Sequence, residues 1–257
     1  MRIVVCVKHV PDVQSERALD EDGHTVRGLD DVLNELDENA VEAAVSLVEE
    51  NGGEVVALTM GPDDAEDAVR RALQMGADRG VHVSDDALAG ADVVTTARVL
   101  AAAVRAVGPV DLVVTGMAAL DGLTSMVPTA LAAELGLPQL TLASELSVTG
   151  AGVRVRRDIG DAVEVLQAPL PALVSVTDQA NEPRYPAFKA IRAARKKPVD
   201  TWSLADLGLS GGSAAATARS VMVSANARPP KQAGPKIIDD GTAAARLAEF
   251  LVTNRLV

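Results

Sequence analysis

Cysteine, aromatic side chains and long apolar runs are all scarce in this sequence, and each scarcity removes a class of protein. Cys6 is the only cysteine, so no internal disulfide framework can form and a reducing compartment is expected. No uninterrupted apolar stretch approaches the roughly 20 residues that span a bilayer. The apolar run after Met1 and Arg2 stops at Lys8, too soon for the hydrophobic region of a signal peptide. A cytoplasmic protein without membrane insertion is expected. Positive charge is also in deficit: 24 Lys and Arg face 36 Asp and Glu, a formal net charge of -12 that repels nucleic acid and other polyanions.

Signatures of chemistry are equally sparse. His9, His24 and His82 are scattered, with no cysteine or carboxylate at ligand spacing, so no metal site is expected. Gly-x-Gly-x-x-Gly after the first strand, the Gly-Lys-Ser/Thr phosphate loop, Gly-x-Ser-x-Gly and His-Glu-x-x-His are all absent, and no catalytic residue is assigned. The pairs Asp30–Asp31 and Asp239–Asp240 read as solvated surface charge.

What is present is a regular alternation. The chain has 257 residues, 48% of them apolar, enough for one sizeable core with an appended arm. β-branched runs recur at RIVVCVKHV (2–10), GEVVALTMG from Gly53, GVHV from Gly80 and VDLVVTG from Val110, as expected of strands buried on both faces. Between them, Val41, Ala44, Val45 and Val48 repeat at helical spacing after Asp37. Val69, Ala72 and Leu73 do the same after an Asp63 to Glu66 capping box, and Gly76 ends that helix. The pattern predicts a doubly wound, mostly parallel α/β sheet whose ligand lies beyond the strands' carboxyl ends.

Two regions depart from it. VRVRRDIG, a turn at Gly160 and Asp161, and AVEVLQA predict an antiparallel hairpin with Val153, Val155 and Ile159 on one face, followed by a strand from Ala172. Beyond Pro198 the pattern dissolves into Gly, Ala, Ser and Pro, then recovers a stripe of Ala244, Leu247, Ala248, Leu251 and Val252.

NEPRYPAFKAIRAARKK, from Asn181, inverts the global charge. Arg184, Lys189, Arg192, Arg195, Lys196 and Lys197 are uninterrupted by any acid, and Tyr185 and Phe188 lie among them in a chain with only two Phe, one Tyr and one Trp. Aromatic residues beside arginine are enriched at recognition hot spots, which makes this a candidate docking patch. The alternative is an ordinary helix whose Phe188 and Ile191 pack on the sheet while the charges are solvated.

Four segments together resemble the beta subunits of electron transfer flavoproteins: VCVKHVPD, NELDENAVEAAV, LTMGPDDAEDAVRRALQMGADRGVHV and NEPRYPAFKAIRAARKK. The resemblance spans nearly the whole chain. It implies an adenine nucleotide alpha hydrolase-like fold, with residues 1–198 as a nucleotide-binding core that includes a recognition loop at 176–198. Residues 199–257 would be an arm and terminal helix docking on an alpha subunit. It further implies structural AMP here, FAD mainly in the alpha subunit, and partners among acyl-CoA and other flavin dehydrogenases and the electron transfer flavoprotein-quinone oxidoreductase. Carried over by position, the nucleotide site comprises Cys6, Asn34, Glu35, Leu36, Asp37, Met60, Gly116, Asp121, Gly122, Leu123, Thr124, Ser125, Met126 and Val127. The docking residues are Tyr185, Phe188, Lys189, Ile191 and Arg192, and Glu164 is a domain-orientation acid or an exposed strand carboxylate. Leu123 and Met126 stand where many members have an acid and a glutamine. An electron-bifurcating subunit with a second FAD, and a free-standing adenine-nucleotide sensor, are the competing readings.

Overall fold

The computed structural model describes residues 1–15, 18–21, 23–28, 30–150, 152–209, 218–226, 228–234 and 236–257. The Gly/Ala-rich stretch at 210–217, read from the sequence as arm, lies outside them. The elements in chain order are β1 (Arg2–Cys6), β2 (His9–Pro11), β3 (Asp31–Leu33), α1 (Glu35–Asn51), β4 (Glu54–Met60), α2 (Glu66–Met75), β5 (Arg79–Val83), α3 (Val93–Val107) and β6 (Leu112–Gly116). They continue with α4 (Val127–Leu135), β7 (Gln139–Ala143), β8 (Glu145–Thr149), β9 (Gly152–Asp158), β10 (Val163–Pro169), β11 (Ala172–Val176), α5 (Phe188–Ala194), β12 (Val199–Trp202) and α6 (Ala243–Thr253).

Seven strands form one parallel sheet in the order β12-β5-β4-β1-β6-β11-β7. Alternate residues of β1 serve opposite faces: Ile3 and Val5 join a core with Val41, Ala44, Val69 and Leu73, whereas Val4 and Cys6 join one with Ala97, Leu100, Val104 and Leu131. Helices α1 and α2 therefore cover one face, α3 and α4 the other, which is why the strands read as unbroken apolar runs. The chain leaves β1 toward β4 on one side and returns to β6 on the other, so the order reverses at β1. The carboxyl ends of β1, β4 and β6 flank that switch point.

Several local expectations are corrected. The run 2–10 is not one strand: β1 ends at Cys6, and His9–Pro11 pairs antiparallel with β3. The Asp63–Glu66 capping box does not form, because Pro62 leads into a 3-10 turn over Asp63–Ala65 and α2 starts at Glu66 without a side-chain cap. Asp63 accepts a hydrogen bond from the Ser84 hydroxyl instead. Asp31 is no solvated charge, since its side chain is 6% exposed, accepts from the Gly28 amide and lies 3.9 Å from His9 Nδ1.

The hairpin β9–β10 forms in the expected register, with Val153 and Val155 buried, but Ile159 is exposed at the turn and β8 adds a third antiparallel strand. The pattern does not dissolve at Pro198 either. Residues Val199–Trp202 pair in parallel with β5 as the sheet's edge, so the core runs past the expected boundary, and Leu204 is buried in it. The first compact unit spans Met1–Val223 and the second Ser224–Val257. Within the second, α6 buries none of its side chains, and Leu247, Phe250 and Val252 are exposed.

Candidate functional site

Asn34 and Asp37 organise the carboxyl end of the sheet. Asn34 precedes α1 and is fully buried, and its amide nitrogen donates to the Ala118 carbonyl at 2.9 Å while its Oδ1 accepts from the Leu120 amide at 3.0 Å. One side chain thus fixes the stem of the loop that leaves β6. Asp37, one turn on, accepts from the Lys8 amide at 2.8 Å and from the Gly116 amide. A Cβ on Gly116 would stand 2.4 Å from an Asp37 oxygen and 2.7 Å from the Leu36 carbonyl, so only glycine lets β6 end this close to α1. Burial pushes the Asp37 carboxyl up to about 7 despite the hydrogen bonds from Asn34, Lys8 and Gly116 that favour its ionised form. Cys6 is buried beside it. Its thiol is pushed up to about 12, first by burial and then by the Asp37 charge, and is inert as a nucleophile.

Asp121 closes the far side of the loop stem. Its carboxylate is 3% exposed and receives Lys8 Nζ at 2.8 and 3.0 Å and Arg27 Nη2 at 2.8 Å. Burial alone would raise its pKa, yet the two cations hold it below the usual carboxylate range. Beyond this stem, Gly122, Leu123, Thr124, Ser125 and Met126 are exposed, and Leu123 and Ser125 adopt positive φ of 51° and 53°. Two non-glycine residues in the left-handed region cost of order 1 kcal/mol or more each, a strain that the pinned stem sustains. The loop then enters α4 at Val127, where no side-chain cap is present and the first turn has no acid. The first turn of α1, by contrast, contains Glu35, Asp37 and Glu38. Cys6 and Met60 end the neighbouring strands β1 and β4. Near these ends the Oγ1 atoms of Thr59 and Thr115 are buried without a hydrogen-bond partner among the described residues. Orphaned buried hydroxyls are uncommon enough to call for an explanation.

The six cations of the basic segment differ in their surroundings. Arg184 donates to Glu42 through its backbone amide, Nε and Nη2 at 2.7–3.0 Å, and to Glu49 through Nη1 and Nη2 at 2.6 and 2.9 Å. Both acids are on α1, seven residues apart on one face. Burial would raise the Glu42 carboxyl, but Arg184 holds it below its ordinary value. Asn39 and Asn181 exchange hydrogen bonds through side-chain amides and main-chain carbonyls. Pro186 is buried, Tyr185 lies under the Arg71 guanidinium at 5.8 Å, and α5 begins at Phe188. Tyr185 is 88% exposed and Phe188 83%, so Phe188 is not a core residue; Ile191 is half-buried. Lys189 and Arg192 are exposed.

A family model described as the electron transfer flavoprotein domain matches residues 25–207. The chain belongs to the electron transfer flavoprotein family. It is 39% identical over 263 residues to the electron transfer flavoprotein subunit beta of Mycobacterium tuberculosis, with 99% of each chain covered. It is also 36% identical over 255 residues to the caffeyl-CoA reductase-Etf complex subunit CarD of Acetobacterium woodii, covering 98% of this chain and 97% of that one. Against Protein FixA of Azorhizobium caulinodans it is 41% identical over 218 residues, covering 81% and 77%. These similarities place it among the beta subunits, in an electron-transfer role.

Within this electron transfer flavoprotein subunit, the expected nucleotide residues fall into a fixed stem (Asn34, Asp37, Gly116 and Asp121), two neighbouring strand ends (Cys6 and Met60) and an exposed tip (Gly122 to Met126). Glu35 is exposed and Leu36 half-buried at the start of α1. Sequence reasoning did not find Lys8 and Arg27 as the counter-ions of Asp121, nor Glu42 and Glu49 as the acceptors of Arg184. The only available signal was two acids seven apart on a helix, which names no partner 142 residues away. Glu164 is not free on its strand: Arg157, directly opposite in register, donates to it at 2.6 Å. Among the described residues there is no cluster able to hold a metal ion, and no helix is long and apolar enough to cross a membrane.

Proposed function

We infer that this chain is the beta subunit of a heterodimeric electron transfer flavoprotein, anchoring acyl-CoA and related dehydrogenases so that electrons pass to the electron transfer flavoprotein-quinone oxidoreductase and the respiratory chain. The carrying observation is the near-full exposure of Phe188 and Tyr185 on a segment tied to α1 through Arg184 and Asn181. An apolar anchor held out from a rigid base, with cations around it, suits a pocket of apolar floor and acidic rim. FAD, held mainly by the alpha subunit, supplies the redox chemistry when bound. The role of this chain is to orient that assembly on its electron donor.

The carboxyl-end site is assigned to structural AMP. The residues suit it: the orphaned hydroxyls of Thr59 and Thr115 offer polar partners, and the acid-free, uncapped start of α4 is the helix terminus open to a phosphate. Residues Gly122 to Met126, exposed on their pinned stem, would close over the nucleotide. The first turn of α1, with its three acids, is better suited to holding the loop than to receiving an anion.

Releasing the nucleotides of the purified heterodimer in acid and identifying them by mass tests this assignment. One AMP with one FAD is the expected result. Two FAD would support the bifurcating reading, which the 36% identity to the Acetobacterium woodii complex subunit keeps in view, and no adenine nucleotide beyond FAD would refute the site.

Glu164 is assigned to the interface with the flavin-bearing alpha subunit, where its ion pair with Arg157 sets its orientation. Glu164→Ala is expected to change both dehydrogenase-linked turnover and the distribution of domain orientations seen by solution scattering. If neither changes, the residue is only a cross-strand partner of Arg157.

A further inference from the structure

The cations of 184–197 divide into two groups. Arg184, at one end, is committed to Glu42 and Glu49 on α1. Lys197, at the other end, donates its ammonium to the carbonyls of Leu73 and Ala77 at 3.2 and 2.5 Å, where α2 ends, while its own carbonyl accepts from Arg70 at 3.3 Å. Those carbonyls lie at a helix C-terminus, where acceptors are left over and a cation is favoured. Burial lowers the Lys197 pKa, with Asp78 opposing. Between the two ends Ala194 is buried, while Lys189, Arg192, Arg195 and Lys196 are exposed and their side chains have no hydrogen bond or ion pair among the described residues.

We propose that Arg184 and Lys197 are positioning residues that staple 184–197 to α1 and α2 as a preformed platform, and that only Lys189, Arg192, Arg195 and Lys196 present charge to the partner. This rests on the docking reading given above. The occupant is a folded protein face with an apolar pocket for Phe188 and carboxylates around its rim. A segment of seven helical residues with an exposed apolar anchor would be costly to order at the moment of binding, and two staples remove that cost beforehand. Charge committed to the fold contributes little to steering, whereas exposed rim charge sets the association rate and its dependence on salt.

The test uses the flavin-loaded heterodimer with a purified acyl-CoA dehydrogenase as probe. Glu42→Gln combined with Arg184→Gln removes one charge of each sign and leaves no unpaired buried carboxylate. It is expected to weaken docking about tenfold with the salt dependence of wild type, and to speed trypsin cleavage within 189–196 by about tenfold or more. Lys189→Gln with Arg192→Gln is expected to do the reverse, slowing association and flattening its salt dependence. If the double glutamine variant fails to fold, Arg184→Lys keeps the charge, loses the fork that spans both acids, and is expected to show the same signature in weaker form. Cleavage at the wild-type rate in the Arg184 variants would overturn the staple. Faster cleavage with unchanged docking would overturn its positioning role, as would a loss of salt dependence equal to that of the Lys189 and Arg192 variant. Phe188→Ala separates the two levels: wild-type docking by that variant would defeat the dehydrogenase reading, while the cleavage rates would still decide the staple.

Discussion

Truncating Phe188 to alanine is expected to raise the apparent Michaelis constant of the carrier for its dehydrogenase at least thirtyfold, while the melting temperature stays near that of wild type. The first half follows from the size of the anchor. Removing a phenyl ring from a filled interface pocket typically costs ~2 kcal/mol or more, which is roughly thirtyfold in affinity. The second follows from its position, since a side chain 83% exposed loses few contacts on truncation. A core phenylalanine would cost about 3–5 kcal/mol of fold stability through the cavity left behind. Steady-state kinetics and thermal melting of the same variant therefore read opposite outcomes: a lowered melting point with normal carrier kinetics would put the anchor elsewhere.

Asp37→Asn is expected to change how stability varies with pH. The folded-state pKa of Asp37 lies near 7, above its ordinary value of 3.8. The folded protein therefore keeps a proton that the unfolded chain surrenders, and Asp37's contribution to stability falls as pH rises from about 4 to about 7. A gap of about three pH units corresponds to ~4 kcal/mol at most. Glu42, Glu49 and Asp121 are shifted downward and act with the opposite sign, losing stability as pH falls, but they are common to both proteins and cancel in the difference. Urea unfolding at several pH values should show Asp37→Asn gaining on wild type by on the order of 3–4 kcal/mol between pH 4 and pH 8. Parallel stability curves would show that Asp37 is ionised in the fold at neutral pH.

The parallel sheet was legible because its strands are buried on both faces, which leaves β-branched runs such as VVALTM and LVVTG with no polar alternation to confuse them. Gly76 was legible as a helix end because a φ of 133° suits glycine. Strand β8 was not. β7 is irregular at Leu142, whose φ is a positive 62°, where its register with β11 shifts, and the chain then turns into β8 through the single residue Ser144, with no glycine or proline to mark the bend. β12 was hidden by its edge position, where one partner suffices and little apolar patterning is needed. The loop residues of the proposed nucleotide site were named by resemblance, yet what holds the loop in place could not be read. Asn34 and Lys8 reach partners 84 to 113 residues away, and such pairings are properties of the closed sheet, not of any local pattern. The same holds for Asp31, whose buried carboxylate no local window separates from that of Asp30.

Helix α1 touches both of the proposed functional regions. Its N-terminal end supplies Asn34 and Asp37 to the β6 loop, and its middle and C-terminal turns supply Glu42 and Glu49 to Arg184. Its 17 residues make a rod of about 25 Å at roughly 1.5 Å per residue. Ala40, Val41 and Ala44 weld it to the sheet without exposed area. It therefore acts as a ruler: the spacing between the β6 loop and the base of the 184–197 segment is fixed by a turn count, not by a hinge. A one-residue insertion between Glu42 and Glu49 would rotate Glu49 by about 100° relative to Glu42 and leave Arg184 facing one acid instead of two. Length variation among relatives is thus expected to spare the span from Asp37 to Glu49 and to collect in loops.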